Sequence, residues 1–432
     1  MNKNKFLFFV NLKDFLEFCS LFFEGKKMSL SLIGRSIKAS ATLRLNEIAA
    51  ILREKGEPVI HLGGGEPKSK APLEALVAAS NLINSGEVRY TPADGIPQLK
   101  KAVIRYTEEF YDRLVAPENI IVSSGAKQAI MVCLQAIINP QEEVIFPAPY
   151  WVSYPEMVKL CGGVPVPVFP EDGTFYPRLQ DIEERVTSYT KAIIINSPNN
   201  PTGAMYSEQF IAEIVEFCEK RGLYLIMDDI YHRLIFDGRK PINFYKFAKD
   251  LSENSKLILV NGVSKMYAMT GFRIGWAVAN KKLVEAMTNI QAHQTSGPPV
   301  VTQVAAAAAL NGPQTQVESL RITLENNRNI LLERLNAFKG VRAFKPDGTF
   351  YCFADFSYYM KDSIKLSQFL LDKVRVLTVP GIEFGLDGWL RLSTCGSVKD
   401  ITEGIERIKW ALDPDSPNEL YIGERKLIRD WL

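Results

Sequence analysis

The chain has 432 residues, 47% hydrophobic and 23% charged, with a formal net charge of +2. That is a globular composition, long enough for two domains sharing a substantial core, and a near-neutral charge without a long basic run excludes a dedicated nucleic-acid binder. Six scattered cysteines (Cys19, Cys133, Cys161, Cys218, Cys352, Cys395) without a C-x-x-C pair, and three distant histidines (His61, His232, His293), argue against a disulfide framework and against a metal site; the reduced cytoplasm is the expected compartment.

Residues 1–27 form an extension rich in Phe and Leu. Asp14 and Glu17 interrupt its apolar run and no small-residue cleavage site follows, which argues against a signal peptide and a membrane span. The extension reads as a start-site artefact or an amphipathic appendage. Residues 40–55 have helical apolar spacing. Pro58-Val-Ile-His-Leu62 then reads as a short strand entering Gly63-Gly-Gly-Glu-Pro67. That cluster lacks the spacing of a nucleotide-phosphate loop. It is a tight turn, or a place where backbone approaches a ligand closely.

From residue 72 helices alternate with apolar strands. The strands are expected at 119–123, 143–146, 164–168, 192–195, 223–227, 256–260 and 274–278, with a helix over 125–138. This pattern argues an α/β domain with a largely parallel sheet buried on both faces, whose ligands belong beyond the carboxyl ends of its strands. Near residue 313 the pattern changes to a long helix (317–338), short strands at 348–353, 374–379 and 389–392, and a helix over 400–412. The expected division is 28–71 with 313–412 as a smaller α+β domain, 72–312 as the large domain, and 413–432 as a tail with a short helix.

The polar residues with chemical potential fall at the strand ends. Ser123-Ser-Gly-Ala-Lys127 joins a strand to a helix, and its N–H groups and positive helix end make a phosphate cradle that includes Lys127. Trp151 in Pro149-Tyr-Trp151 is either a stacking platform for a flat ring or a core tryptophan. Asn196-Ser-Pro-Asn-Asn-Pro-Thr-Gly203 is a polar turn whose Asn200 amide could donate to a ligand oxygen. Met227-Asp-Asp-Ile-Tyr231 ends a buried strand with two carboxylates, which serve either a cofactor ring nitrogen or the cap of the next segment. Lys265 follows another buried strand, with Ser264 before it and Arg273 eight residues on. A lysine that attacks carbonyls needs a pKa lowered by burial and neighbouring cations, and Ser264 and Arg273 can grip a phosphate. Arg391, in Leu-Arg-Leu-Ser, suits a substrate carboxylate or a solvated strand edge.

Read together, these segments resemble the fold-type I pyridoxal-phosphate aminotransferases, and within them the bacterial aspartate-aminotransferase branch that also holds aromatic and prephenate enzymes. The resemblance runs from about Met28 to Leu412, carried by Asn-Pro-Thr-Gly, Asp-x-x-Tyr, Ser-Lys with Arg273, and the late Arg391. It implies that Lys265 is the Schiff-base lysine and proton shuttle and that Asp228 pairs with the ring nitrogen. Asn200 and Tyr231 would bind the phenolic oxygen, and Trp151 would stack on the ring. Gly125, Ala126, Ser264 and Arg273 would hold the phosphate, joined by Tyr90 of the neighbouring subunit of a homodimer. Gly65 would offer backbone to the substrate and Arg391 would grip its α-carboxylate.

The implied reaction is ping-pong transfer from an L-amino acid, aspartate by first choice, to 2-oxoglutarate. Aromatic, prephenate or alanine aminotransferase, or a carbon–sulfur lyase on the same fold, are the alternative enzymes. A cofactor-binding regulator would need a DNA-binding domain that 27 residues cannot supply. Two departures bear on specificity. Lys68-Ser-Lys70 follows Pro67 where relatives commonly have Asp-Phe, and Gln291-Ala-His-Gln-Thr-Ser-Gly297 lacks the arginine that animal-type enzymes use for the distal carboxylate. Lys38 matches a position that some bacterial relatives place near that carboxylate.

Overall fold

The structure is a computed structural model that describes residues 30–37, 41–170, 173–423 and 425–431. The 1–27 extension and Lys38 therefore lie outside the described residues. The chain divides into two compact units, Met1–Lys38 and Ala39–Leu432. In the first, helix Leu32–Ser36 is capped by Ser31, whose hydroxyl accepts from Gly34 N–H at 3.0 Å.

The second unit is built around a seven-stranded sheet. Its strands are β1 (Ile120–Ser123), β2 (Glu143–Pro147), β3 (Val164–Val168), β4 (Thr190–Asn196), β5 (Tyr224–Asp228), β6 (Leu257–Gly262) and β7 (Gly275–Val278). The spatial order is β1-β7-β6-β5-β4-β2-β3. All neighbours are parallel except β7, which runs antiparallel to both β6 and β1. Flipping β7 leaves β1, β4, β5 and β6 ending on one edge, and β7 begins there. The sheet period of two splits each strand between two cores. Ile120, Val122, Ile193, Ile195, Leu225, Met227 and Leu259 pack on one face, with Tyr106, Tyr111 and Trp276. Ile121, Ile194, Ile226, Ile258 and Val260 pack on the other, with Tyr154. Asp228 follows Met227 and so points with Ile226 toward Tyr154, while Asp229 turns to the Tyr111 side.

A smaller antiparallel sheet follows: β8 (Arg342–Ala343), β9 (Tyr351–Asp355), β10 (Val379–Pro380) and β11 (Trp389–Ser393), in the order β10-β11-β9-β8. Arg391 lies between Phe353 and Val379 in the register. Ile60–His61 pairs in parallel with Val376–Leu377, which ties the early chain to the late chain.

Two expectations fail. The strand expected from Gly348 begins only at Tyr351, because Gly348 and Thr349 bend back against residues 234–236: Thr349 has φ 67°, and its N–H donates to Leu234 O at 2.8 Å. The tail carries no helix. It forms a hairpin, Glu419–Ile422 against Arg425–Ile428, turning at Gly423 with φ 61°. Local helical propensity loses there to docking on helix Val398–Leu412: Trp410 Nε1 donates to Pro417 O at 2.7 Å, and Trp431 Nε1 donates to Ala411 O at 3.1 Å.

Gly203 is where the two sheets meet. Its φ is 73°, and an added Cβ would lie 2.4 Å from Pro346 Cβ and 2.9 Å from Gly348 O. Its carbonyl accepts from Asp347 N at 2.8 Å and Gly348 N at 3.0 Å. Gly203→Ala is expected to destabilise the chain by about 2–5 kcal/mol, summing the left-handed backbone and the overpacking. The check is the urea midpoint at constant slope; a loss under about 0.5 kcal/mol would show that 346–351 moves away freely.

Candidate active site

The carboxyl edge of the large sheet opens into a cavity of about 460 Å³ that also takes residues from the small sheet. Lys265, Asp228, Tyr231, Asn200, Trp151, Ser264, Arg273, Ala126, Lys127, Gly65 and Arg391 all line it. Gly125 stands behind the lining, and Tyr90 is 97% exposed away from it. Lys38 is outside the described residues.

Each side chain is aimed by its element. Asp228, the last residue of β5, is buried; its Oδ2 accepts from the Tyr154 hydroxyl at 2.6 Å, and its Oδ1 has no partner among the described residues. Burial, opposed by the bonds from Tyr154 and the Ile230 N–H and by the Lys265 charge, pushes its pKa up to about 6. A buried acceptor without a donor is costly. It is also what a protonated ring nitrogen would satisfy. Asp229 is occupied elsewhere: its Oδ2 accepts from Tyr111 at 2.7 Å on the opposite face. The strand period thus decides between the two carboxylates.

Lys265 is half-buried, and its Nζ donates to Gly65 O at 2.7 Å. Burial, with further lowering by Arg391 and Arg273, brings its pKa down to about 8, although Cys395 and Glu66 pull the other way. Such a lysine has a sizeable neutral fraction near neutral pH. The loop beyond it is strained: Ala268 and Arg273 take φ of 51° and 53°, at roughly 1–3 kcal/mol each. Arg273 Nη1 donates to Thr270 O at 3.0 Å, and its guanidinium covers Gly125 so closely that a Cβ there would lie 2.6 Å from Nη2. Gly125, with φ 86°, caps helix Ala126–Ile137. Helix N–H groups, Ser264 and Arg273 therefore converge on one corner, an anion cradle that a side chain at 125 would fill.

Arg391 is 2% exposed. Nη1 donates to Asn200 Oδ1 and Nη2 to Gly63 O, both at 3.0 Å, while Nε is buried without a partner. The guanidinium lies 4.1 Å from the Tyr351 ring centroid. The solvated-edge reading is excluded; this is a fixed, partly unsatisfied fork suited to a carboxylate. Trp151 is half-buried, with Lys127 Nζ 5.0 Å from its ring centroid.

A family model for class I and II aminotransferases matches residues 57–408. The chain belongs to that family. It is a transferase of amino groups, and transamination is its reaction. It is 38% identical over 384 residues to a probable aspartate/prephenate aminotransferase of Aquifex aeolicus, covering 87% of this chain and 97% of the relative. It is 37% identical over 387 residues to an aspartate aminotransferase of Bacillus subtilis, covering 88% and 98%. The aspartate aminotransferase of Thermus thermophilus, solved with maleate, superposes with a TM-score of 0.84 at 35% identity, covering 89% of this chain and 99% of that one. The enzyme of Thermotoga maritima gives 0.82 at 33%, covering 88% and 99%. The aspartate-aminotransferase-like fold expected from the sequence is the fold observed.

Sequence reasoning missed several residues of this aminotransferase's site. Tyr154 holds Asp228 and lies three residues after Trp151. Asn196 donates through Nδ2 to Asp228 O and accepts through Oδ1 from Asn200 N–H, both at 2.9 Å, so it locks two strand ends together. Tyr351 packs beneath Arg391 and hydrogen-bonds Tyr231. Glu66 accepts from Thr270 Oγ1 at 2.7 Å at the rim. Only Asn196 had a signal, its place in the Asn-rich turn.

Placing an ammonium in this cavity costs stability when nothing binds it. The folded-state pKa of Lys265 is depressed below 10.5, so its favourable contribution exists above pH 10.5 and is lost as pH falls through about 8. Lys265→Met is therefore expected to stabilise the ligand-free aminotransferase at pH 7 by about 1–2 kcal/mol, discounted for the water that reaches the side chain. The gain should fade as pH rises from 8 toward 10.5. Denaturant titrations of both proteins across that range are the check, and a gain independent of pH would contradict it.

Proposed function

We propose that this aminotransferase binds pyridoxal phosphate in the cavity and, as a homodimer, moves the amino group of L-aspartate to 2-oxoglutarate. The observation that carries the cofactor assignment is the unpartnered Asp228 Oδ1, buried in the same cavity as a lysine of lowered pKa and the Gly125–Arg273 cradle. When bound, the cofactor supplies the electron sink for a carbanion at the substrate α-carbon. Asp228 keeps its ring nitrogen protonated, and that charge in turn favours the ionised form of Asp228. Asn200 and Tyr231 donate to its phenolic oxygen, Trp151 covers its ring, and Gly125, Ala126, Lys127, Ser264 and Arg273 hold its phosphate.

Lys265 would hold the cofactor, and its amine would move the proton at the substrate α-carbon. Its pKa near 8 leaves the amine able both to accept and to release that proton. Arg391 anchors the α-carboxylate through N–H groups that Asn200 and Gly63 leave free, and Gly65 offers its carbonyl. An acidic substrate is supported by the charges on the walls: Lys127, Lys265, Arg273 and Arg391 against Glu66 and Asp228. Lys127 pairs with no carboxylate among the described residues.

Glutamate formed from aspartate and 2-oxoglutarate by the purified protein tests the reaction. Pyruvate and ammonia from cystathionine would favour a lyase. Borohydride reduction followed by mass spectrometry should place the cofactor on Lys265, and Lys265→Ala should lose both the adduct and turnover. Tyr90, exposed and outside its own cavity, is assigned to the cofactor phosphate of the partner subunit. Tyr90→Phe should weaken cofactor binding about tenfold, the worth of one charge-assisted hydrogen bond, with sedimentation still at the dimer mass. An unchanged affinity would remove Tyr90 from the site.

A further inference from the structure

A hydrogen-bond chain outside the cofactor cradle fixes the orientation of a side chain at the cavity wall. Gly63 N–H donates to His61 Nδ1 at 3.1 Å, and His61 Nε2 lies 2.7 Å from Asn46 Oδ1. A backbone N–H can only donate, so Nδ1 must be the bare nitrogen and Nε2 must carry the proton. Nε2–H then needs an acceptor, which obliges Asn46 to turn its carbonyl oxygen toward His61. The Asn46 amide NH₂ is left over, and Asn46 lines the cavity with Arg391 and Lys127. No partner for that NH₂ is present among the described residues. The chain is stable at neutral pH, because burial and the Arg53, Arg391 and Lys68 charges hold the His61 pKa down to about 4. Gly63 also accepts from Arg391 Nη2, so one short segment braces both the α-carboxylate clamp and Asn46.

We propose that Asn46 is a substrate-binding residue whose NH₂, oriented by His61, donates to the side-chain carboxylate of an acidic amino acid or 2-oxo acid. His61 is a positioning residue that acts through Asn46. The assignment rests on the acidic-substrate reading above and adds a named donor to it. Asn46 is exposed at the rim, so its substitution leaves the core intact. A hydrogen bond to a charged group is worth roughly tenfold or more in binding.

The test uses the cofactor-loaded dimer and the ratio of kcat/KM for aspartate to that for alanine, together with calorimetric binding of maleate, a dicarboxylate that cannot react. Asn46→Ala should lower the ratio about tenfold, mainly through KM, and weaken maleate similarly. Asn46→Asp, an acceptor that repels a carboxylate, should lower it further. His61→Leu should reproduce most of the Asn46→Ala loss, and the double variant should be no worse than Asn46→Ala alone, since His61 acts only through Asn46. A merely structural His61 would instead give additive losses and equal damage to both substrates, and that result would overturn the proposal. If the unaltered enzyme prefers aspartate while Asn46→Ala keeps the ratio and the maleate affinity, this assignment fails alone. If the unaltered enzyme prefers alanine, the acidic-substrate reading fails and takes this one with it.

Discussion

The site is organised by a carboxylate that the fold leaves half satisfied. Asp228 ends a central strand whose three preceding residues, Leu225 to Met227, are buried, so its position is set by the same alternation that builds the two cores. Tyr154 donates to its Oδ2, and its Oδ1 has no partner among the described residues. In a chain selected only for stability, that oxygen would be paired or replaced by an apolar group. Its neighbour Asp229, buried to a similar degree, is paired with Tyr111 on the other face. Two adjacent acids thus meet opposite fates because the sheet has two sides.

The other polar side chains of the cavity depend on that strand edge. Asn196 and Asp228 are register partners in β4 and β5, and the Asn196 amide bridges Asp228 O to Asn200 N–H. Asn200 in turn accepts from Arg391 of the smaller sheet. One side-chain amide therefore couples Asp228 to Arg391 through three hydrogen bonds. On the other flank, antiparallel β7 returns the chain to the same edge at Gly275, which is how Arg273 comes to lie over Gly125. Tight backbone contact at Gly275, where a Cβ would sit 2.3 Å from Ala126 N, fixes that approach. The positive φ at Arg273 is the local cost of aiming its guanidinium into the cradle.

Most of this was legible in the sequence, for identifiable reasons. Strands buried on both faces are written as unbroken apolar runs, so β1, β4, β5 and β6 were found within a residue or two, and their polar terminal residues marked the site. The tail misled because its hairpin is held by contacts to Trp410, Ala411 and Glu57, on other elements or far away in the chain; no local period records such docking. Tyr154 and Tyr351 escaped for a related reason: a tyrosine on a buried helix or strand face reads as core until its hydroxyl or ring is seen against a charged partner. Arg391 could be named but not placed, since a strand position alone does not separate a buried guanidinium from an edge.

Charge explains why the cavity is open to an acidic ligand before any partner is assigned. Four cationic side chains and two acidic ones line it, and burial raises the Asp228 pKa to about 6. Burial first, then repulsion from Arg391 and Arg273, lowers the Lys265 pKa, and burial with Arg273 lowers that of Lys127. A phosphate bound at the Gly125 corner and a carboxylate bound at Arg391 would relieve that repulsion at two separated points and raise the Lys265 pKa above its ligand-free value of about 8. Occupation of the two anion sites and the basicity of the lysine are therefore one electrostatic problem, with Lys265 and the Gly125 corner at the edge of the large sheet and Arg391 on the smaller one.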